Sequence, residues 1–417
     1  MSSTARSSAA MNGDQPPSKK QMTKHSSGIS IFSLPYDLIL NIIGRVSRMY
    51  YPTLSLVSKK MRSVIASPEL VKARSLLNRN NESCLYMCLR YYLDPSRDPT
   101  THWFALCMRP NRTLTERSGG RVFIPITSPH LRHERSTART STDVSIVAVG
   151  SNIYKMGGYT PSSSEVSVLD CRFNTWQSAP VMRVKRSSPA ASVVDGKIYV
   201  AGGCEDPENW VEVFDPKNQT WGNVTNPGTE IRPSGAELES FAIGGKLYLF
   251  GDKRVVYDPK EASWNPIGLG MDMHNVAMDM GMDMAEGMDL EMDMNGVASA
   301  VSYYHCVIGE VLFLWNEREF RWFDFKSSSW KKLRGVEDLP DFDGAIQMVD
   351  VGGKMYVLWD VSGRCEEGRE VRSIWCAEIV LERRGDEMWG NVEWFDVVLT
   401  THEPCSLFDA DVLSVTV

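Results

Sequence analysis

The sequence predicts a small all-α unit of three short helices at the N-terminal side, followed by an all-β propeller. Five blades are clear, and a sixth is expected to be closed by strands from both ends of the chain. Three observations carry this reading. An aspartate and a tryptophan with five residues between them recur as Leu169-Asp170…Trp176, Phe214-Asp215…Trp221, Tyr257-Asp258…Trp264 and Phe323-Asp324…Trp330. A glycine-led strand stands upstream of each copy, and a fifth such strand, Gly353-Lys354-Met355-Tyr356, follows them. Ahead of the repeats, residues 29–77 carry aliphatic side chains at helical spacing rather than in alternation.

Composition narrows the function classes. The chain has 417 residues, of which 42% are hydrophobic and 23% charged, the balance of an ordinary soluble protein with room for two domains. No run reaches the roughly 18 apolar residues of a membrane span, and the first residues lack the apolar core of a signal peptide. Nine cysteines, an odd number without framework spacing, point to reduced thiols in the cytosol or nucleus. The net charge of −7 is carried by one segment, 271–294, with five Asp, two Glu and no Lys or Arg. Residues 29–77 hold seven Lys/Arg against two acids. That basic face is too small for a nucleic-acid-binding domain. Neither nucleic acid nor membrane is expected as a partner.

Taken in order, residues 1–28 are Ser-, Lys- and Gln-rich and read as a disordered tail. Lys19-Lys20 and Lys24 could serve as a weak nuclear signal, although a solvated basic tail is the plainer reading. Leu38, Ile39, Ile42, Ile43 and Val46 follow Pro35 as one helix. Leu54, Val57, Met61, Val64 and Ile65 line one face of a second, after Pro52. Ser67-Pro68-Glu69 opens a third, as cap, first-turn proline and acidic first turn. So small a bundle buries little, and some of its apolar residues should be left for a partner. Residues 78–100 read as a helical or linker segment.

The propeller is expected over 101–417. Trp103–Cys107 and Val122–Ile126 are short strands ahead of repeats at about 145–181, 189–225, 237–268, 301–334 and 345–395. Strand positions 153, 198, 247, 311 and 355 step by 45, 49, 64 and 44 residues, the period of a four-stranded blade. The one long step contains the Met/Asp-rich insertion 271–294. Within one repeat, Ala190–Val194 is a small-residue strand for the crowded axis, and Asp195-Gly196 a hairpin turn. Gly202-Gly203 permits close backbone approach. Asp215 should accept N–H groups of its own turn, and Trp221 should fill space between blades. The fifth copy lacks the regular phrase, and Trp389 should close it after a longer hairpin. Residues 101–127 and the strand around Val412–Val417 remain for the sixth blade, which would fasten the ring.

The double glycines Gly157-Gly158 and Gly202-Gly203, followed by an aromatic, an Asp and a Trp, resemble the kelch motif. The third copy keeps only Gly251, and the last two have Leu314-Trp315 and Leu358-Trp359 in that place. Leu34-Pro35-x-Asp37-Leu38, then Leu54-x-x-Val57-Ser58-Lys59-x-x-Arg62 and Ser67-Pro68-Glu69-Leu70, resemble an F-box. Together they are similar to the plant F-box/kelch family. The resemblance implies a substrate receptor of an SCF-type ubiquitin ligase. Its F-box would bind a Skp-type adaptor, and through it a cullin–RING ligase, and its propeller a protein substrate. By the same resemblance Leu34, Pro35, Leu38, Ile42, Val57 and Ser58 would lie at the adaptor contact. The basic charge of 29–77 would suit an acidic adaptor.

In a propeller with strands a to d, the regular Asp-containing turns here are the a–b and c–d connections. Variation gathers on the opposite face, in Tyr159–Glu165, Arg183–Arg186, Cys204–Trp210 and Asn316–Glu319. Loops that vary on a fixed scaffold are where recognition resides. Arg183, Arg186, Asn209, Trp210 and Arg318 are the candidates for substrate contact. The nine Met of 271–294, with His274 as the one added ligand type, could suggest Cu(I), but low-complexity expansion of a loop is the better reading. No cofactor, metal site or catalytic residue is expected. The seven His show no paired spacing beyond His130-x-x-His133, and phosphate loops and hydrolase elbows are missing from the sequence. The alternatives are a kelch scaffold outside the ligase system and, less well supported, a propeller enzyme.

Overall fold

A computed structural model describes residues 30–91, 100–109, 120–126, 144–158, 162–233, 238–267, 305–316, 318–342, 346–365, 368–403, 405, 407 and 410–417. The expected tail 1–28, His130 and His133, and the insertion 271–294 lie outside them.

The helical unit has four helices rather than three: α1 Tyr36–Gly44, α2 Tyr51–Val57, α3 Lys59–Ile65 and α4 Pro68–Leu76. Ser58 splits the expected second helix. Its backbone is extended (φ −164°, ψ 161°), and its hydroxyl accepts the Met61 N–H as the cap of α3. Serine competes for helix N–H groups in this way, which favours it at starts over interiors. Ser67 caps α4 similarly, ahead of Pro68. The core gathers Ile39, Leu40 and Ile43 of α1 with Tyr51, Met61, Val64 and Leu70. Arg74, almost fully buried, donates to the carbonyls of Gly44 (3.3 Å) and Val46 (2.9 Å) and to the Tyr51 hydroxyl (3.1 Å). It thus satisfies carbonyls that the end of α1 leaves without helical partners.

The described strands form six four-stranded antiparallel sheets. Blade 1 is β4 Ser145–Val149, β5 Asn152–Met156, β6 Val166–Asp170 and β7 Thr175–Ala179. Blade 2 is β8 Ala190–Val194, β9 Lys197–Ala201, β10 Val211–Asp215 and β11 Thr220–Asn223. Blade 3 is β12 Glu239–Ile243, β13 Lys246–Phe250, β14 Arg254–Asp258 and β15 Ser263–Pro266. Blade 4 is β16 His305–Ile308, β17 Val311–Asn316, β18 Glu319–Asp324 and β19 Ser329–Lys332. Blade 5 is β20 Ile346–Val351, β21 Lys354–Arg364, β22 Glu370–Arg384 and β23 Glu387–Thr401. Blade 6 orders β24 Asp411–Thr416, β1 Ser83–Tyr91, β2 Thr100–Met108 and β3 Arg121–Pro125 from the axis outward.

Blade 6 is indeed built from both ends of the repeat region, but it takes three strands from the N-terminal side. Its strand β1 falls in 78–100, where the sequence suggested a helix or linker. The reason is burial on both faces. Leu85, Met87, Leu89 and Tyr91 pack toward blade 5, while Cys84, Tyr86 and Cys88 pack toward blade 1. A strand covered on both sides reads as a continuous apolar run, without the alternation that marks a strand.

Among the described residues six apolar clusters fill the propeller, one at each interface between neighbouring blades. The recurring Asp and Trp occupy repeated structural roles. Asp170, Asp215, Asp258 and Asp324 each accept the N–H two residues on, at 2.9, 2.9, 2.9 and 3.1 Å. The Trp221 indole donates to the Pro180 carbonyl (2.8 Å), and that of Trp264 to Thr225, tying an outer strand to the chain leaving the preceding blade. Trp389 does not take this place. In the register of blade 5, Ile379 pairs with Val392, and Trp389 lies further out, opposite Glu382. The extended hairpin instead straps the exit of blade 4, where the Gly390 N–H donates to the Arg334 carbonyl at 2.7 Å.

The helical unit sits on the a–b/c–d side of the ring. The Arg48 guanidinium donates to the Cys171 carbonyl (3.0 Å) in a c–d turn, and the Thr53 hydroxyl to Met108 (3.2 Å) at the end of β2. The variable loops open on the opposite side.

Candidate protein-interaction surfaces

The first surface is on the helical unit. Helix α1 turns Ile39, Leu40 and Ile43 inward and leaves Leu38 52% and Ile42 43% exposed, with Leu34 and Pro35 exposed just before it. At the α2–α3 junction Val57 is 67% and Leu56 69% exposed. The spacing had grouped Val57 with Met61 and Val64 on one helical face, and both of those are buried. The break at Ser58 turns Val57 to solvent instead. Of the thirteen exposed large apolar side chains among the described residues, eight lie in this small unit. Tyr36, Tyr50, Leu56 and Leu76 belong to that set and were not singled out by the sequence. Ser58 itself is half-buried and occupied in capping. Fully burying an exposed leucine is worth ~1.5–3 kcal/mol, and covering one already half-buried about half of that, so exposure summed over this many side chains marks a surface built to be covered. Arg45, Lys59, Lys60, Arg62 and Lys72 are exposed on the same unit and make its surface basic.

The second surface is an open cleft of about 890 Å³ on the b–c/d–a side. Its walls come from the loop between β7 and β8 (Lys185, Ser188), the loop between β9 and β10 (Cys204, Glu205) and the loop after β11 (Arg232, Leu238). One buried arginine shapes it. Arg186, with no exposed surface, pairs with Glu212 at 2.9 Å. It also donates to the carbonyls of Gly202 (2.5 Å), Trp210 (3.1 Å) and Asn209 (2.6 Å). The Trp210 carbonyl also accepts the Gly202 N–H (2.9 Å), so side chain and backbone together satisfy the buried acceptors of the loop. Gly203 (φ 68°) closes against the other wall so tightly that a Cβ would meet the Ser187 carbonyl oxygen at 2.2 Å. Asp206 fixes the loop tip by accepting from Asn209 Nδ2 (2.7 Å) and the Glu208 N–H (2.9 Å), and these bonds lower its pKa.

The five sequence candidates for substrate contact divide accordingly. Arg186 is a framework residue inside the loop, so its role as a surface contact is withdrawn. Trp210 lines the cleft but is buried, its ring 6.5 Å from that of Trp264 between blades 2 and 3. Asn209 is half-buried and spends its side chain on Asp206. Arg183 is exposed at the edge, its main-chain N–H held by Glu212 (2.9 Å). Arg318 is exposed on blade 4 with Asp341 at 3.8 Å, away from the cleft. Among the described residues, Lys185, Glu205, Asp206 and Arg232 are the charged side chains that line the cleft, and none of them was among the sequence candidates. Lys185 stood inside the Arg183–Arg186 run, but which members of that run turn inward depends on the path of the loop. Among the described residues no group of three or more His, Cys, Asp or Glu is placed to hold a metal ion.

Comparison with known proteins covers both parts of the chain. The F-box domain model matches residues 31–73, and the FKB95 Kelch-repeats domain model residues 103–399. An F-box/kelch-repeat protein of Arabidopsis thaliana is 46% identical over 447 residues, spanning 100% of this chain and 99% of the relative. Another from the same plant is 44% identical over 400 residues, spanning 93% and 96%.

Proposed function

The chain belongs to the plant F-box/kelch-repeat family, and we propose that it is the substrate-recognition subunit of an SCF-type ubiquitin ligase. The exposed apolar face of the helical unit carries this reading. Leu34, Pro35, Leu38, Ile42 and Val57 are turned to solvent by the same helices that bury Ile39, Leu40 and Ile43. A Skp-type adaptor covers that face and connects the chain to a cullin–RING ligase. The propeller, a rigid ring with variable loops on its far side, holds a protein substrate.

The chemistry in this reading is positional. The chain contributes no nucleophile or proton shuttle to ubiquitin transfer, and acts as an adaptor rather than an enzyme. It raises the effective concentration of a substrate lysine near the charged ubiquitin carrier. The experiment is affinity purification of the tagged full chain from plant cells, beside the Leu34→Ala/Pro35→Ala double variant. Recovery of a Skp-type adaptor and a cullin with the parent chain, and their loss from the variant, is the expected result. A parent chain that recovers neither overturns the ligase reading and leaves a kelch scaffold with other partners.

A further inference from the structure

Glu82 lies just ahead of β1, in the short connection between the helical unit and the ring. Its carboxylate accepts the Arg48 N–H (3.0 Å) and the Arg74 guanidinium (2.9 Å), and also the Ser47 hydroxyl. Its carbonyl accepts the Val417 N–H at 2.9 Å, beside the inner strand of blade 6. One residue therefore grips two separate segments of the helical unit and the strand that closes the ring. Arg48 continues the connection. Its guanidinium donates to the carbonyls of Cys171 (3.0 Å) and Arg172 (3.2 Å), and the buried Tyr86 hydroxyl donates to Cys171 as well (3.2 Å). Thr53 adds a second tie, to Met108 (3.2 Å). These contacts reach blade 1 and blade 6, well separated along the chain from residues 47–53.

We propose that Glu82, Arg48 and Thr53 are positioning residues that lock the F-box onto the propeller as one rigid body, so that the direction in which the substrate face points is fixed relative to the adaptor. A flexible linker would let that face sample many orientations and dilute the lysine near the ubiquitin carrier. Bonds to main-chain carbonyls from a charged guanidinium are directional and stronger than neutral ones, and they hold an angle as well as a contact. The consequence for ubiquitin transfer rests on the ligase reading above, while the rigid seating itself does not.

The test uses the full chain with non-cysteine spin labels at residues 72 and 217, both exposed. Pulsed dipolar spectroscopy reads the distance distribution between them in the parent and in Arg48→Ala/Thr53→Val. Neither substitution touches the apolar face that meets the adaptor. Adaptor affinity and melting temperature are measured on the same samples, together with the set of lysines self-ubiquitinated in a reconstituted ligase. The expected result is a narrow distribution in the parent that broadens in the variant, with adaptor affinity retained and the set of modified lysines widened. A distribution equally narrow in both, or already broad in the parent, overturns the positioning role while leaving the ligase reading intact. A parent chain that fails to bind the adaptor overturns the ligase reading and the consequence for transfer, and the distances then judge the rigid seating alone.

Discussion

Arg186 and Glu212 form an ion pair 2.9 Å apart in which neither side chain retains more than 1% of its exposure. Removing one partner of such a pair strands a charge away from water. Arg186→Met should lower the stability of the chain by ~3–5 kcal/mol, read by urea unfolding. Hydrogen exchange in 202–210 should rise more than elsewhere, because the loop loses at once the guanidinium that bonds the carbonyls of Gly202, Asn209 and Trp210.

The Trp221 indole donates to the Pro180 carbonyl at 2.8 Å, while its ring lies 5.0 Å from that of Phe214. Trp221→Phe keeps an aromatic ring in the inter-blade layer and removes the N–H. The expected cost is about 1 kcal/mol for the bond, whereas Trp221→Ala should cost ~3–5 kcal/mol through the cavity as well. A difference between the two variants in urea melts checks the division between bond and packing.

How much of this was legible in the sequence can be judged from individual residues. The blades were legible because Asp215 and Trp221 do local jobs that recur, an Asx turn and an aromatic packed against the preceding blade. The indole bond to that blade is made by Trp221 and Trp264 and not by Trp176 or Trp330. The apolar surface at Leu38 and Ile42 was legible as a surplus that so small a bundle cannot hide. Strand β1 was not, since Leu85 and Tyr86 are buried on opposite faces and erase the alternation. Nor was the fate of Arg186. Arg183 and Arg186 look alike in sequence, and only the inward path of the chain, opposite Gly202 and Glu212, makes one a framework residue and leaves the other in solvent.

A second buried charge cluster gives the fold a pH limit. Glu378 bonds to the Tyr356 hydroxyl (2.9 Å) and the Trp394 indole (2.5 Å), and pairs with Lys354 and with Arg121 of blade 6. Burial pushes its pKa up, but the bonds from Lys354 and Trp394 and the charge of Arg121 outweigh burial and hold it at about 2. A folded pKa below the unfolded value means stability that is present above about pH 4.3 and is lost as the pH falls toward 2. The cluster joins blade 5 to blade 6, so acid should open the ring there. Glu378→Gln should flatten the fall in melting temperature between about pH 5 and pH 3, relative to the parent.

Seven of the nine cysteines are buried, and only Cys204 and Cys365 are half-exposed. Burial pushes the thiols of Cys84 and Cys107 up to about 12. The thiolate is the reactive form. A maleimide at pH 7 should therefore label Cys204 and Cys365 in the native chain, and all nine after denaturation, as counted by intact mass.

The adaptor face is tested most directly by one titration, the binding of a purified Skp-type adaptor to the full chain followed by calorimetry. Saturable one-to-one binding is expected, abolished by Leu38→Asp with Val57→Asp. Both side chains are more than half exposed, so the melting temperature should be unchanged. Absence of heat with the parent chain, or undiminished binding by the double variant, would contradict the assignment of that face to the adaptor.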